Sequence, residues 1–175
     1  MKYTKITISG KICTGKSTLF KNLAKKLHWN TFHTGQFFRD YVKKHGLVLE
    51  KAEEQNNQLT KKIDYKVRDM LKEKRGNDIF DGWMTGIMAD HYDHVLRILL
   101  ICNDKVRVQR FAKRENISYK EAKKAVEDRE KNLFEKLEDI YHRNDFVDPK
   151  NYNCIIDTSQ SNPQEVLKRV LDNLT

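Results

Sequence analysis

The chain has 175 residues, of which 38% are hydrophobic and 34% are charged, and its formal net charge is +9. This length suits a single domain, residues 1–175, with a substantial core. No apolar run approaches the ~20 residues of a membrane-spanning helix, so no membrane partner is expected. The basic charge raises nucleic acid as a partner, but the chain carries no RNA- or DNA-binding motif that we can identify. We therefore expect a soluble protein, a monomer, that does not bind nucleic acid.

Cysteine usage and the N-terminal sequence bear on the compartment. Cys13, Cys102 and Cys154 are scattered and lack the paired spacing of a metal site. Residues 1–4 run directly into the first predicted strand, which leaves no room for a signal peptide. Both features favour a reducing cytoplasm.

The first predicted strand, residues 5–8, is followed by the pattern glycine, four residues, Gly-Lys-Ser/Thr, and then by an amphipathic helix. This is the P-loop signature in its required strand–loop–helix context. Glycines and the helix N-terminus let backbone N–H groups surround a phosphate. Lys16 is expected to reach the β- and γ-phosphates of ATP, and Ser17 to ligate Mg²⁺. The predicted ATP-binding loop comprises Gly10, Lys11, Ile12, Cys13, Thr14, Gly15, Lys16, Ser17 and Thr18.

Strands and helices alternate along the rest of the chain, with further strands expected at residues 29–33, 77–81, 95–102 and 154–157. This alternation predicts an α/β fold with a five-stranded parallel sheet between helices. Thr34 and Gly35 are expected to break the chain before a helix at 36–42. The charged residues 50–75 are expected to form one or two surface helices that act as a mobile flap.

Helix starts are marked in the second half of the chain. Asp104 is expected to cap the helix that follows the fourth strand. Ser118 and Glu121 form a capping box at the start of the next helix. Asn162, followed by proline, is expected to start the terminal helix.

Several polar residues have spacings that suit phosphoryl transfer. Asp81, at the end of the third strand, is expected to act on the Mg²⁺ side of the site, although a simple turn cap is the alternative. Arg39 can clamp a substrate phosphate with its planar fork, or be a solvated helix arginine. Two successive helices carry cations that could close over the migrating phosphoryl group and exclude water, the alternative being ordinary surface pairing. These cations are Arg110, Arg114, Arg129 and Lys136.

Taken in order across nearly the whole chain, these segments resemble the nucleoside monophosphate kinases, in particular the archaeal type of cytidylate kinase and its cytidylate-kinase-like relatives. The P-loop alone is generic, whereas the ordered set is fairly specific. The matching segments are the P-loop and residues 34–39, 75–77, 81–82, 86–89, 113–118, 121–122, 128–130 and 157–159.

The resemblance implies a P-loop kinase with small helical segments for acceptor binding, about residues 36–75, and for a lid, about residues 110–136. ATP–Mg²⁺ would transfer its γ-phosphoryl group to a nucleoside monophosphate, preferably CMP or dCMP, giving ADP and CDP or dCDP. Arg39 and Arg68 would hold the acceptor phosphate, near Thr34, Gly35 and Trp83. Catalysis would rest on Lys16 and, from the lid, on Arg114, Arg129 and Lys136. Arg110 would lie against the adenine, and the backbone at Ser159 would contact its edge.

The chain also departs from the family pattern on the acceptor side. Trp83 stands where an arginine usually follows Gly82, and Gln36 stands where an acid is usual. Lys136 replaces a usual lid arginine, which turns a bidentate contact into a point charge. Two alternatives therefore stay open. One is a P-loop kinase for another nucleotide or a small metabolite, and the other is an RNA-associated ATPase or switch.

The acceptor role of Arg39 is testable by steady-state kinetics. Because the guanidinium would hold the acceptor phosphate, Arg39→Ala should raise the KM for the acceptor by about tenfold or more and leave the KM for ATP nearly unchanged. An equal effect on both constants would remove Arg39 from the acceptor site.

Overall fold

The computed structural model describes residues 2–44 and 56–174, and this part of the chain forms one parallel sheet with helices on both faces. The strands lie in the order β2-β3-β1-β4-β5. Their bounds are β1 (Lys5–Gly10), β2 (Asn30–His33), β3 (Asp78–Asp81), β4 (Val95–Ile101) and β5 (Cys154–Asp157). The predicted α/β fold with a five-stranded parallel sheet is confirmed.

Seven α-helices and one 3₁₀ turn, Pro149–Asn151, connect the strands in the described part of the chain. None of the helices in these two segments combines the length and apolar character of a membrane span. The helices are α1 (Lys16–Leu27), α2 (Thr34–Lys44), α3 (Asn57–Lys72), α4 (Thr85–Met88), α5 (Asp104–Glu115), α6 (Tyr119–Tyr141) and α7 (Pro163–Asp172).

The core lies on the two faces of the sheet, with β1 fully buried at its centre. On one face, side chains of α1 and α7, such as Leu23 and Val170, pack against Ile6 and Ile98. On the other face, Val67 and Leu71 of α3 belong to a cluster with neighbouring strand residues. Because successive strand residues point to opposite faces, Ile79 belongs to the first cluster and Phe80 to the second.

The parallel arrangement brings the carboxyl ends of all five strands to one edge of the sheet. The P-loop follows β1, Thr34 follows β2, Gly82 follows β3, Asn103 lies beyond β4 and Thr158 follows β5. Open α/β sheets bind ligands at this edge. Side chains that follow different strands are therefore expected to lie close together at this edge.

Two local predictions were wrong. Thr34 and Gly35 do not break the chain but form the first turn of α2, which starts directly after β2. The N-cap of α5 is Asn103, whose side chain accepts a hydrogen bond from the Lys105 N–H, because Asn103 has extended dihedral angles and Asp104 is already helical. The capping boxes at Ser118 and at Asn162 are both present, and that at Ser118 confirms the predicted start of α6.

The predicted flap at residues 50–75 is only partly described, because 50–55 lie outside the described residues. From Asn57 onward the segment is α3, which buries a continuous face at helical spacing. Its apolar residues are sparse, but they align on one side of the helix and pack against the sheet. The prediction of a surface helix is confirmed for α3, whose outer face is exposed, and the mobility of the segment stays a prediction.

A buried ion pair joins the first residues of two adjacent strands. Lys5 and Asp78 are direct partners in the β1–β3 register, and the Lys5 side chain is 2% exposed. Its ammonium donates to the Asp78 carboxylate and, at 2.9 Å, to the carbonyl of Arg75. A buried charge tolerates the loss of its partner poorly, because the desolvation penalty then remains uncompensated.

We therefore expect Asp78→Ala to lower the free energy of unfolding by about 3 kcal/mol. The double variant Lys5→Met with Asp78→Ala removes both charges and should recover most of this loss. Urea unfolding of the two variants measures the difference. A loss below about 1 kcal/mol for Asp78→Ala would mean that the pair behaves like an exposed one.

Candidate active site

The P-loop encloses the side chain of its own lysine. Lys16 Nζ donates to the carbonyls of Gly10 at 2.7 Å and of Lys11 at 2.9 Å. Burial lowers the pKa of Lys16, and the charge of Asp81 opposes this effect. Gly10 has φ 145°, and a Cβ there would lie 2.5 Å from the carbonyl oxygen of Leu100, so only glycine fits. The loop and the start of α1 form the N–H pocket that a phosphate requires.

A buried ion pair between Arg107 and Glu130 holds the backbone of the P-loop. Glu130 Oε1 accepts the N–H of Ile12 at 3.0 Å, and Arg107 Nη1 donates to the Ile12 carbonyl at 3.0 Å and to Glu130 at 2.6 Å. Burial acts to lower the pKa of Arg107, but its hydrogen bonds to Glu130 and Asp104 outweigh burial and raise it. The sequence analysis assigned no role to Glu130 or Arg107.

A phosphate-loop cavity of about 370 Å³ lies over the P-loop, lined by residues 12–13 and 15–18 together with Arg110, Arg114 and Arg129. Three of the four predicted lid and adenine cations thus converge on the loop. The Cys13 thiol also lines this cavity. Its burial raises its pKa, against the charges of Arg114 and Lys16, which keeps the thiol neutral.

A second cavity, the β5-side cavity, has a volume of about 270 Å³ and lies beyond the loop. Its lining includes Thr14, Arg110, Thr158 and Ser161. Arg110 donates to the carbonyl of Thr158 at 2.6 Å, and the Thr158 hydroxyl lies 2.9 Å from the carbonyl of Thr14. The Ser159 hydroxyl instead hydrogen-bonds Asp157 and the N–H of Asn103, so Thr158 and Ser161, not Ser159, line the cavity.

The third cavity, the α3-side cavity, has a volume of about 300 Å³ and lies on the opposite side of the P-loop from β5. It brings together most of the residues that the sequence assigned to the acceptor and the metal. Those residues are Ser17, Thr34, Gly35, Asp81 and Trp83, joined by Lys16, Arg129 and Lys136.

Ser17 and Asp81, the two predicted magnesium ligands, both line this cavity. Asp81 is 1% exposed, and His33 Nδ1 lies 3.6 Å from its Oδ2. The Thr34 hydroxyl donates to the Asp81 carbonyl at 2.9 Å, and a Cβ at Gly82 would lie 2.2 Å from that hydroxyl oxygen, so glycine is required there. A hydroxyl and a carboxylate are hard oxygen ligands that suit Mg²⁺.

The described residues contain no group of three or more His, Cys, Asp and Glu side chains that could hold a metal by themselves.

Trp83 lies between the P-loop and α6. Its ring centroid is 5.2 Å from Lys16 Nζ and 5.5 Å from the ring of Phe134, in an edge-to-face arrangement of 84°. The indole therefore takes the place beside the loop lysine where the family pattern has an arginine. The change replaces a charge with an aromatic surface.

The other predicted acceptor residues are placed less uniformly. Arg68 does not line the α3-side cavity in the described structure, since its half-exposed side chain lies 4.6 Å over the Tyr65 ring and 3.8 Å from Asp69. Arg39 lies in α2, but its side chain lies outside the described part of the chain. The Gln36 amide donates to Asp40 at 2.8 Å within α2.

The sequence analysis missed a polar group in the α3-side cavity, made by Thr60 and Asp64 of α3. The Tyr141 hydroxyl, at the end of α6, donates to Asp64 Oδ2 at 2.6 Å. Burial raises the pKa of Asp64 to about 6, although the Tyr141 hydrogen bond and Lys136 oppose it. The available signal was the register of Thr60 and Asp64, which fall on the same helical face as Ile63 and Val67.

The sequence pattern of the cytidylate kinase-like family matches residues 5–160. The chain belongs to this family. It is 33% identical to a cytidylate kinase of Haloarcula marismortui over 95% of this chain and 86% of that protein. It is also 33% identical to a cytidylate kinase of Pyrococcus abyssi, over 97% of this chain and 94% of that protein. The suspected resemblance is confirmed, as is the prediction of an enzyme of the nucleoside monophosphate kinase type.

Solved structures support the fold. The shikimate kinase of Acinetobacter baumannii aligns with a TM-score of 0.63 at 13% identity, covering 98% of this chain and 93% of that one. At this identity the likeness concerns the fold alone, and it confirms the P-loop kinase architecture.

The raised pKa of Asp64 predicts a pH-dependent stability. The folded protein holds this proton more tightly than the unfolded chain does, for which the pKa is 3.8. The stability contribution of the neutral form is therefore complete below that value and is lost as the pH rises through about 6. Asp64→Asn cannot ionise and can still accept the Tyr141 hydrogen bond. We expect the variant to be more stable than wild type by up to about 3 kcal/mol at high pH.

Urea unfolding at about pH 4 and about pH 8 measures this difference, which should shrink at the lower pH. A difference that is the same at both pH values would contradict the raised pKa. Asp69→Asn, an exposed change on the same helix, is the control.

Proposed function

We propose that the protein transfers the γ-phosphoryl group of ATP to a nucleoside monophosphate, with CMP or dCMP as the preferred acceptor. The observation that carries this proposal is the meeting of two cavities. Lys16, Ser17 and Arg129 line both the phosphate-loop cavity and the α3-side cavity. A donor on one side and an acceptor on the other would face each other across these three residues.

The donor side follows from the P-loop and the β5-side cavity. The N–H groups of the loop and of the first turn of α1 would hold the phosphates of ATP. Lys16 would leave the carbonyls of Gly10 and Lys11 and turn to the β- and γ-phosphates. Arg110, which lines both the phosphate-loop and β5-side cavities, would lie against the adenine.

Ser17 and Asp81 would hold Mg²⁺, directly or through water. When bound, the ion would supply positive charge that offsets the negative charge of the ATP phosphates. Thr34 supports this arrangement by fixing the backbone of Asp81.

The acceptor would occupy the α3-side cavity, with its phosphate towards Lys16 and Arg129. One of its phosphate oxygens attacks the γ-phosphorus, the bond to the β–γ bridging oxygen breaks, and ADP leaves. Arg129 stands at the junction and would stabilise the migrating group together with Arg114. Lys136 lines only the acceptor side of the junction, where it would act as a point charge.

We further propose that residues of about 36–75 form the acceptor-binding segment and that residues of about 110–136 form a lid. The lid would bring Arg114 and Arg129 over the phosphates and exclude water, which would otherwise take the phosphoryl group. Arg39 is proposed as the clamp of the acceptor phosphate, whereas the exposure of Arg68 gives the same role for that residue no support.

A second candidate is a kinase for a different acceptor. The observation that favours it is Trp83, whose indole lies 5.2 Å from the loop lysine and stands in the chain where the resemblance leads us to expect an arginine. Trp83 lines the α3-side cavity, so this change alters the side proposed for the acceptor. The mechanism would be the same with a different acceptor molecule.

The test is the rate of ADP production from ATP–Mg²⁺ with CMP, dCMP, UMP, AMP, GMP or dTMP, and without an acceptor. We expect strong stimulation by CMP or dCMP. Stimulation by a different monophosphate alone would mean that this molecule, and not CMP or dCMP, is the acceptor. Turnover without any acceptor would instead indicate a switch or an RNA-associated ATPase, which salt-dependent RNA binding would identify.

Removal of the loop lysine should abolish transfer without loss of the fold. Lys16→Ala is expected to lower kcat/KM by about 10³, the scale on which a charge-stabilising donor acts. Lys21→Ala, an exposed lysine on the same helix α1, is the matched control and should keep wild-type activity. Unfolding of Lys16→Ala would show instead that Lys16 is a structural residue of the loop.

A further inference from the structure

The α3-side cavity is lined along one side by α6, through Arg129, Leu133, Lys136 and Leu137. Arg129, the first of these residues, also lines the phosphate-loop cavity. Tyr141, at the end of α6, lies about 18 Å further along the helix axis, at a rise of ~1.5 Å per residue. Because Tyr141 hydrogen-bonds Asp64, Asp64 lies towards the end of the cavity that is remote from the P-loop.

Two buried polar side chains of α3 line this far end. Asp64 and Thr60 are each 6% exposed and lie one helical turn apart. Asp64 Oδ2 accepts the hydrogen bond of the Tyr141 hydroxyl, and among the described residues nothing donates a hydrogen bond to Oδ1. Thr60 Oγ1 is buried and has no hydrogen-bond partner in the described part of the chain.

Apolar side chains line much of this cavity, together with Lys136, whose charge acts on Asp64. Phe38, Trp83, Leu133 and Leu137 line the same cavity. Buried polar atoms among apolar walls are costly unless a ligand satisfies them. A flat ring with a polar edge is the kind of ligand that such a site accepts.

We propose that Asp64 and Thr60 bind the edge of the acceptor base, and that they select a base with an exocyclic amino group beside an unprotonated ring nitrogen, as in cytosine, over one with a carbonyl beside a ring N–H, as in uracil. This inference rests on the proposed function. The acceptor phosphate must face Lys16 to receive the phosphoryl group, so the base must point towards the far end.

The chemistry of the two side chains sets the preference. An ionised carboxylate only accepts hydrogen bonds, so Asp64 Oδ1 pairs with an amino N–H and repels a carbonyl oxygen. The Thr60 hydroxyl both donates and accepts, and it can donate to the unprotonated ring nitrogen. Asp64 therefore carries the discrimination, and Thr60 completes the pairing.

Tyr141 is a positioning residue in this scheme. Its hydroxyl fixes Oδ2 and thereby turns Oδ1 towards the ligand. The charged group of α6 that acts on Asp64 is Lys136, which favours the ionised carboxylate. Above about pH 7 the carboxylate is ionised, since its pKa is about 6, and the preference for an amino-bearing base should be at its strongest.

The experiment measures kcat/KM for CMP, UMP and dCMP at about pH 8, with ATP–Mg²⁺ saturating, in wild type and in Asp64→Asn. Wild type should prefer CMP to UMP by about tenfold or more. In Asp64→Asn the amide oxygen accepts from Tyr141 and the amide N–H₂ faces the ligand, which suits a carbonyl. The CMP:UMP ratio should fall by about ten- to hundredfold, while the CMP:dCMP ratio and the KM for ATP stay constant.

Three further variants make the result specific. Asp69→Asn, an exposed carboxylate on the same helix, should leave every ratio unchanged. Tyr141→Phe should lower the CMP:UMP ratio less than Asp64→Asn does, because the carboxylate remains but is no longer oriented. Thr60→Val keeps the shape of the side chain and should lower kcat/KM for CMP by about tenfold. Thermal melting confirms that each variant is folded.

The failures of the two proposals are distinguishable. If no monophosphate stimulates wild type, the proposed function fails, and the base-reading role falls with it. If wild type is stimulated but Asp64→Asn lowers kcat/KM for CMP and UMP equally, Asp64 is structural and only the base-reading role is overturned. A change in the CMP:dCMP ratio with a constant CMP:UMP ratio would overturn it too, because Asp64 would then contact the ribose.

Discussion

The ion pair between Arg107 and Glu130 is the interaction on which the geometry of the site depends. It holds both the N–H and the carbonyl of Ile12, so the two peptide units on either side of this P-loop residue are fixed by a side chain of α5 and a side chain of α6. A buried pair of this kind adds little net stability, because desolvation offsets the attraction. Its contribution is positional, because it holds α5 and α6, which carry the cationic side chains, in a defined position against the phosphate-binding loop.

Helix α6 also connects the P-loop to the acceptor side of the site. Glu130 fixes its first half to the P-loop, and Tyr141 fixes its end to α3 through Asp64. Arg129, next to Glu130, and Lys136, between these two contacts, line the α3-side cavity. A movement of α6 would therefore change the phosphate end and the base end together. The proposed lid closure and the proposed base recognition therefore both depend on the position of α6.

Local signals in the sequence predicted much of the fold and failed where neighbours decide the conformation. The capping box at Ser118 was predictable because both partners lie within one turn. The break at Thr34 and Gly35 was wrong because the Thr34 hydroxyl binds the Asp81 carbonyl, which supports a helix that starts directly after β2. The inner face of α3 was underestimated because its sparse apolar residues gain burial only once the sheet covers them.

The sequence by itself determined the P-loop and the family. Each of these depends on residues that are adjacent in the chain or on motifs in a set order, so the chain carries the information locally. Only the tertiary structure decided that Glu130 supports Ile12 across a separation of 118 residues and that Tyr141 meets Asp64 across 77. These contacts depend on where packing places α3 and α6 against the sheet. No local pattern in the chain predicts these two contacts, because burial and side-chain complementarity, not sequence proximity, bring the partners together.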